Sequence, residues 1–277
     1  MPLPASVHAL LRTYHIKPKK SLGQNFLVEE KILTRIVERS GVTPHTHVVE
    51  IGAGIGNLTY YLATNASHVT AIEIDRNMIP ALEHVLKGIK NTTIIQGDIL
   101  SMHIPSLVGD DPYMVIANIP YYITSAIIRH VLESPNLPTG VFLTIQQAVA
   151  QRICATDGNL SLLALSVHIF GEPSIVLHIP AGAFFPAPNV DSALLAINLY
   201  PQPRVPSALI DPLFCLAKHA FQQKRKMLRN SLAKVPGLEE NTASLLESAA
   251  IDPTRRAQTL RVEDWCRLAQ EYQKRIK

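Results

Sequence analysis

The apolar residues Val28, Ile32, Leu33, Ile36 and Val37 recur at three- and four-residue steps, and Gly41 follows as a stop, so an amphipathic helix is predicted there. The run Val48-Val49-Glu50-Ile51 predicts a buried strand that leads into Gly52-Ala53-Gly54-Ile55-Gly56 and a helix from about Leu58. Strand-like 68–74, helical 78–87 and strand-like 92–96 continue the alternation. Such a βαβαβ order predicts a mainly parallel sheet covered by helices. Further strands are expected at 113–117, 141–145, 174–179 and 192–199, with helices at 124–133 and from about Gln147; 160–170 is apolar and unassigned. Pro201-Gln202-Pro203-Arg204-Val205-Pro206 can sustain neither a helix nor a central strand. We therefore expect an α/β domain over 1–200, its first 27 residues an arm with a structured end, and a wholly helical domain over 201–277.

The 277 residues are 47% hydrophobic, ample for a sizeable core. The apolar patch near Val7 to Leu11 is too short and wrongly flanked for a signal peptide, and no later stretch could span a bilayer, so a soluble, cytoplasmic protein is expected. Cys154, Cys215 and Cys266 are far apart and fit neither a zinc motif nor a disulfide framework; we assign them to packing and expect no metal. The net charge of +4 is uneven: residues 201–277 hold 14 Lys and Arg against 8 Asp and Glu, giving +6 there and −2 over the first 200. A second basic cluster is Arg12, Lys17, Lys19 and Lys20. Basic ends on a near-neutral body suggest nucleic acid before membrane, although a solvated charged surface reads the same way.

A glycine-rich turn between the first strand and helix of such a sheet lets backbone approach a ligand closely, which makes Gly52 and Gly54 candidate contacts. The spacing is G-x-G-x-G, not the dinucleotide G-x-G-x-x-G, and Glu50 stands two residues ahead. That acid suits a cationic ligand better than a pyrophosphate, and S-adenosylmethionine, with a sulfonium and an ammonium, fits. Glu73, about 20 residues beyond the loop, is placed to accept from two ribose hydroxyls. Asp98 could accept from the cofactor's adenine amine with Ile99 packed on the ring. Singly these acids also fit as turn or capping residues; in order at successive strand ends they point to a ligand site. The next strand end brings Asn118-Ile119-Pro120-Tyr121-Tyr122 beside the cofactor's methyl. A carboxamide oxygen, a residue held extended by the following proline and a tyrosine face can grip a planar base bearing an exocyclic amine, adenine or cytosine. The bland alternative is a loop with core tyrosines.

At this point the sequence resembles the ribosomal RNA small-subunit adenine dimethyltransferases, also called dimethyladenosine transferases. The stretches that carry the resemblance are Leu22-Gly23-Gln24-Asn25-Phe26-Leu27, Glu50-Ile51-Gly52-Ala53-Gly54-Ile55-Gly56, Asn118-Ile119-Pro120-Tyr121, Phe184-Phe185-Pro186-Ala187-Pro188-Asn189-Val190-Asp191-Ser192 and Phe221-Gln222-Gln223-Lys224-Arg225-Lys226-Met227-Leu228-Arg229-Asn230. The resemblance spans nearly the whole chain. It implies a Rossmann-like class I methyltransferase fold with a small all-helical C-terminal domain, and double N6 methylation, by S-adenosylmethionine, of two adjacent adenosines in the 3′-terminal hairpin of small-subunit (16S) RNA. It also implies that Asn25, Leu27, Gly52, Glu73, Asp98 and Asn118 line the cofactor site. Ala53 stands where the family usually has proline and Ile119 where it has leucine; Ala148 and Gln258 each replace a frequent glutamate.

In the chemistry expected here, the Asn118 oxygen and the Ile119 carbonyl accept the two N6 protons, Pro120 aims that carbonyl, and Tyr121 and Phe184 stack on the base. Tyr122 is read as structural. Lys218, Arg225 and Arg229 are placed on one helical face, with Lys224, Lys226, Arg255 and Arg256 nearby, as RNA phosphate contacts. The expected partner is small-subunit ribosomal RNA in a pre-ribosomal particle, and a monomer is expected. A large-subunit RNA adenine methyltransferase, a DNA adenine methyltransferase and a non-catalytic assembly factor are the competing readings.

Overall fold

A computed structural model describes residues 5–109, 111–156, 158–235, 237–238 and 241–276, so the first four residues of the expected arm lie outside it. The chain divides into two compact units, 1–150 with 173–199, and 151–172 with 200–277.

In the first unit, in chain order, stand α1 (Val7–Thr13), β1 (Phe26–Leu27), α2 (Glu30–Ser40), β2 (His47–Ile51), α3 (Asn57–Ala63), β3 (His68–Glu73), α4 (Ile79–Val85), β4 (Thr92–Gln96), α5 (Pro105–Val108), β5 (Tyr113–Asn118), α6 (Thr124–Leu132) and β6 (Gly140–Gln146). Helices α7 (Gln147–Cys154) and α8 (Leu162–Phe170) lead to β7 (Gly171–Ile179), β8 (Phe184–Phe185) and β9 (Ser192–Leu199). Seven strands form one sheet in the order β4-β3-β2-β5-β6-β9-β7. Neighbours from β4 to β6 run parallel, and β9 joins β6 antiparallel. Helices cover both faces of a parallel sheet, which is why its strands read as continuous apolar runs rather than alternating ones. Val48 and Val49 of β2 and Val115 and Ile116 of β5 are all fully buried.

The apolar stripe of α2, Ile32, Leu33, Ile36 and Val37, packs into one cluster with Leu58 and Leu62 of α3. The expected arm is more than an arm. It contains α1, started by Ser6, whose hydroxyl accepts from the Ala9 amide, and Val7, Leu10, Leu11 and Ile16 pack with Phe26, Ile55, Met78 and Val85. The arm then pairs as β1 with β8, Phe26 opposite Phe185 and Leu27 opposite Phe184.

The second unit contains α9 (Ser207–Gln222), α10 (Leu228–Leu232), α11 (Thr242–Ser248) and α12 (Val262–Ile276). Its core centres on Trp265, fully buried and stacked on Phe221 with ring centroids 5.7 Å apart. The linear boundary at Pro201 misses one feature: 151–172 belong to this unit. Helix α8 buries Ala164, Leu165, Val167 and Ile169 and packs against α9 and α12, an association between distant segments that no local signal reports. No helix among the described residues is long and apolar enough to cross a membrane.

Gly56 closes the turn between β2 and α3 at φ 91°, a left-handed conformation costly for any other residue. A Cβ there would lie 2.8 Å from Leu82 Cδ1 and 3.3 Å from Val85 Cβ, both in the packed core. Gly56→Ala should lower stability by about 2 to 4 kcal/mol, backbone strain and overpacking together. Urea unfolding of the purified variant measures it, and a midpoint equal to that of the parent would contradict the assignment.

Candidate active site

The strand order reverses between β2 and β5, since β2 pairs with β3 on one side and β5 on the other while the chain continues outward in both directions. Open α/β sheets bind ligands in the crevice beyond the carboxyl ends of such strands. A cavity of about 290 Å3 lies there. Its wall is built from the turn after β2, the ends of β3, β4 and β5, and the segment 22–27 that crosses in front of them.

Gly52, Gly54 and Gly56 all have positive φ, and the turn is held by the Gly52 and Ala53 amides donating to the Ile72 carbonyl at 2.8 and 3.0 Å. The Gly54 amide donates to Glu73 Oε2 at 2.6 Å, and the Asp75 amide to Glu73 Oε1 at 2.8 Å. Burial pushes the Glu73 carboxyl above its ordinary value despite those two bonds. Glu50 is more extreme. It is 1% exposed, lines the cavity, and its Oε2 has no hydrogen-bond partner. Burial, with the nearby Glu73 carboxyl adding to the effect, raises its pKa to about 8. A buried oxygen without a partner costs about 1 to 3 kcal/mol, and a cationic group brought into the cavity would relieve that cost.

Segment 19–25 is fastened across the opening at two places. At one end Asp75, 5% exposed, accepts from Lys19 Nζ at 3.0 Å and Gln24 Nε2 at 3.0 Å, while Gln24 Oε1 accepts from the Lys19 amide at 2.7 Å. Burial alone would push the Asp75 carboxyl up, but the bonds from Lys19, Gln24 and the Asn77 amide outweigh it and hold it below its ordinary value. At the other end Asn118 Nδ2 donates to the Asn25 carbonyl at 3.0 Å. With its nitrogen committed, Asn118 has its carboxamide oxygen left as an acceptor. Tyr121 is half-buried, and its hydroxyl pairs with Ser192 Oγ at 2.7 Å.

The structure brings Asn25, Leu27, Gly52, Gly54, Glu73, Asp98, Ile99, Asn118, Ile119, Pro120 and Tyr121 to this one cavity. Asp98 is exposed and caps the short turn after β4 by accepting from the Leu100 amide. Phe184 is not in the wall. It is 4% exposed within the cluster that holds Leu27 and Ala183, because β8 is paired to β1, so it presents no open face for a base. Tyr122, read from sequence as structural, is 63% exposed and lines the cavity rim. Gln24, Asp75 and Ile74 escaped the sequence reading. Ile74 directly follows Glu73, is 52% exposed and lines the cavity, an apolar residue left outside the core at a strand end.

Two expectations for the basic residues are corrected. Helix α9 ends at Gln222, and 223–227 form a turn before α10, so Lys218, Arg225 and Arg229 do not share one helix. Between Phe221 and Leu228 the one apolar side chain is Met227, which is 37% exposed, so no buried stripe carries the helix on. Lys218, Lys224, Arg225, Lys226, Arg229 and Arg256 are exposed. Arg255 is instead committed internally, to Asp264 Oδ2 at 3.1 Å and to the Thr259 hydroxyl and carbonyl.

The family described as ribosomal RNA adenine dimethylase matches residues 15–274. The ribosomal RNA small subunit methyltransferase A of Dehalococcoides mccartyi strain CBDB1 is 40% identical over 98% of this chain and 94% of its own. The protein of the same name from Enterococcus faecalis is 38% identical over 98% and 96%. Among solved structures, a dimethyladenosine transferase from Plasmodium falciparum aligns with a TM-score of 0.74 at 25% identity, over 89% of this chain and 97% of that one. The 23S rRNA methyltransferase ErmE aligns at 0.69 and 27% identity, over 90% and 99%.

The Asp75 fastening generates a prediction. Asp75→Asn keeps the side chain's shape and loses its charge, which should lower the opening free energy of 19–25 by about 1.5 kcal/mol or more. Hydrogen exchange of the free protein should show faster exchange in that segment and none in β4; unchanged protection would mean that the segment is held elsewhere.

Proposed function

The chain belongs to the ribosomal RNA adenine dimethylase family, and from that premise we propose that it methylates N6 of two adjacent adenosines, twice each, in the 3′-terminal hairpin of small-subunit (16S) ribosomal RNA. S-adenosylmethionine supplies a sulfonium-bound methyl whose leaving group is a neutral sulfide. The observation that carries the proposal is the meeting at one cavity of Asn118, oriented by its Nδ2 bond to the Asn25 carbonyl, with an unpartnered Glu50 oxygen.

Glu50 faces the cationic end of the cofactor, and Glu73 holds the ribose. Asp98 and Ile99 take the cofactor's adenine, with Asn25, Leu27, Gly52 and Gly54 completing the wall. The adenine amine of the RNA is a weak nucleophile because its lone pair is spread into the ring. Asn118 Oδ1 and the Ile119 carbonyl accept hydrogen bonds from its two N–H groups, one of which is gone after the first transfer, and turn the lone pair towards the methyl, while Pro120 restricts Ile119 to the conformation that aims the carbonyl. Tyr121, fixed through Ser192, supplies the stacking face. Alignment of this kind can contribute about 7 to 11 kcal/mol. The methylated ammonium is acidic enough to lose its proton to water, so no general base is required.

Small-subunit RNA is favoured over large-subunit RNA because relatives at 38 to 40% identity carry the small-subunit name, whereas the large-subunit enzyme aligns at 27%. Exposed Lys218, Lys224, Arg225, Lys226, Arg229 and Arg256 supply phosphate contacts, consistent with the +6 charge of 201–277. The reading extends to a monomeric, cytoplasmic enzyme acting on a precursor particle.

Asn118→Ala should lower kcat about 100-fold or more with S-adenosylhomocysteine affinity within about threefold. Labelled cofactor with small-subunit particles and, separately, large-subunit RNA tests both the residue and the substrate; label entering only the latter would overturn the assignment. A second expectation concerns pH. With a folded pKa near 8 and an unfolded one near 4.3, Glu50 binds its proton more tightly in the folded protein. Its contribution to stability is therefore full below about pH 4 and is lost as pH rises towards 8. A cation in the cavity favours the carboxylate, so cofactor affinity should rise over pH 6 to 8 with proton release, and Glu50→Gln should flatten that dependence. Calorimetry in buffers of different ionisation enthalpy reads the released proton directly.

A further inference from the structure

Tyr121 and Tyr122 are consecutive residues of one 3-10 turn, Tyr121–Ile123, and their rings are placed differently. Tyr121 is half-buried and tied through its hydroxyl to Ser192. Tyr122 lines the same cavity and is 63% exposed, the most exposed of the large hydrophobic residues described. It is nevertheless steadied from one side. Gly23 of the fastened segment lies against it, so closely that a Cβ on Gly23 would be 3.3 Å from Tyr122 Cδ1 and 3.1 Å from Pro120 Cβ. Gly23 has φ +59°, and the segment carrying it is held by Asp75 on one side and Asn118 on the other. An aromatic ring with Gly23 close on one side therefore stands at the rim, one residue beyond the ring that faces the cavity.

We propose that Tyr122 is a stacking platform for the RNA base next to the one in the cavity. The proposal rests on the reading of the cavity as an adenine N6-methylating site. A base that swings into the cavity leaves its neighbour with one face unstacked at the rim. An exposed ring replaces that face, and because every base has a π-face such stacking does not read sequence. That property suits a substrate with two adjacent target adenosines: the same ring receives whatever base adjoins each target, so both transfers use one platform. Gly23 contributes by having no side chain, which lets the segment approach the Cδ1–Cε1 edge of the ring while the ring stays 63% exposed.

The experiment uses the full chain and an RNA hairpin with two adjacent adenosines, in three forms: natural, with 2-aminopurine at one of the pair, and with an abasic site there. Binding should quench the 2-aminopurine fluorescence with the parent protein and with Tyr122→Phe, and fail to do so with Tyr122→Ala. On the natural hairpin Tyr122→Ala should raise KM about tenfold, Tyr122→Phe should restore it, and on the abasic hairpin the parent and Tyr122→Ala should differ by less than about twofold. Equal losses on natural and abasic RNA, or no loss on either, would overturn the platform. S-adenosylhomocysteine affinity and the unfolding midpoint, measured on Tyr122→Ala, should match the parent; a fall in both on that variant would make the ring a structural prop and also overturn it. If the parent protein methylates no adenosine in either RNA, the parent reading of the cavity fails, an outcome distinct from parent turnover that is indifferent to Tyr122.

Discussion

The parallel pairing of β2 with β5 decides where the chemistry can be. Val48 lies opposite Met114 and Val49 opposite Val115, so the two strands end side by side and deliver the glycine turn and Asn118 to the same crevice. Neither residue is near the other in sequence. A one-residue slip would exchange the side chains of β5 between the two packed faces, forcing Val115 and Ala117 into the space shaped for Ile116, and the close packing on both faces forbids it. The register that packs the core is thus the register that assembles the site.

Around the crevice the polar groups form a connected path. Gly54 bonds to Glu73, Glu73 to the Asp75 amide, Asp75 to Gln24 and Lys19, and the segment they hold ends at Asn25, whose carbonyl takes the Asn118 amide. The path links the turn after β2 to the end of β5 through the arm. Such a path gives the Asn118 oxygen one orientation, because its nitrogen is already used. It also separates the roles of the acids: Asp75 is charged and fully partnered, whereas Glu50 is buried with one oxygen unsatisfied. A ligand that removes that cost would make Glu50 the acid it engages, as proposed above, whereas Asp75 is already engaged by the arm.

Much of the fold was legible because its signals are local. The stripe of α2, the buried run of β2, the glycine turn and the Pro-rich break at 201–206 are each written within a dozen residues, and β4 and β9 fall at the predicted residues. What escaped depends on pairing between distant segments. Phe184 followed by Phe185 and a proline-rich loop looks like an aromatic entering a site, but β8 takes both residues into a two-stranded ladder with β1 and buries the first. Nothing near Phe184 announces Leu27 as its partner. Likewise the basic residues from Lys218 to Arg229 have helical spacing, but 223–227 bury no apolar side chain and α9 ends before them; Arg255 reads as a free cation until Asp264 folds beside it.

Tyr122 shows the same limit from the opposite direction. In a run of Pro-Tyr-Tyr-Ile the second tyrosine looks redundant, and burial is the default for a ring that repeats its neighbour. The turn prevents this. A 3-10 turn advances about 120° per residue, so adjacent rings cannot share an environment: with Tyr121 tied inward to Ser192, Tyr122 is directed to the rim. Gly23, distant in sequence, then backs the ring where a larger residue would press on it. The orientation follows from the turn and the close support from the arm, and together they leave the ring exposed at the cavity's mouth, which is the placement that the proposed platform for a second base requires.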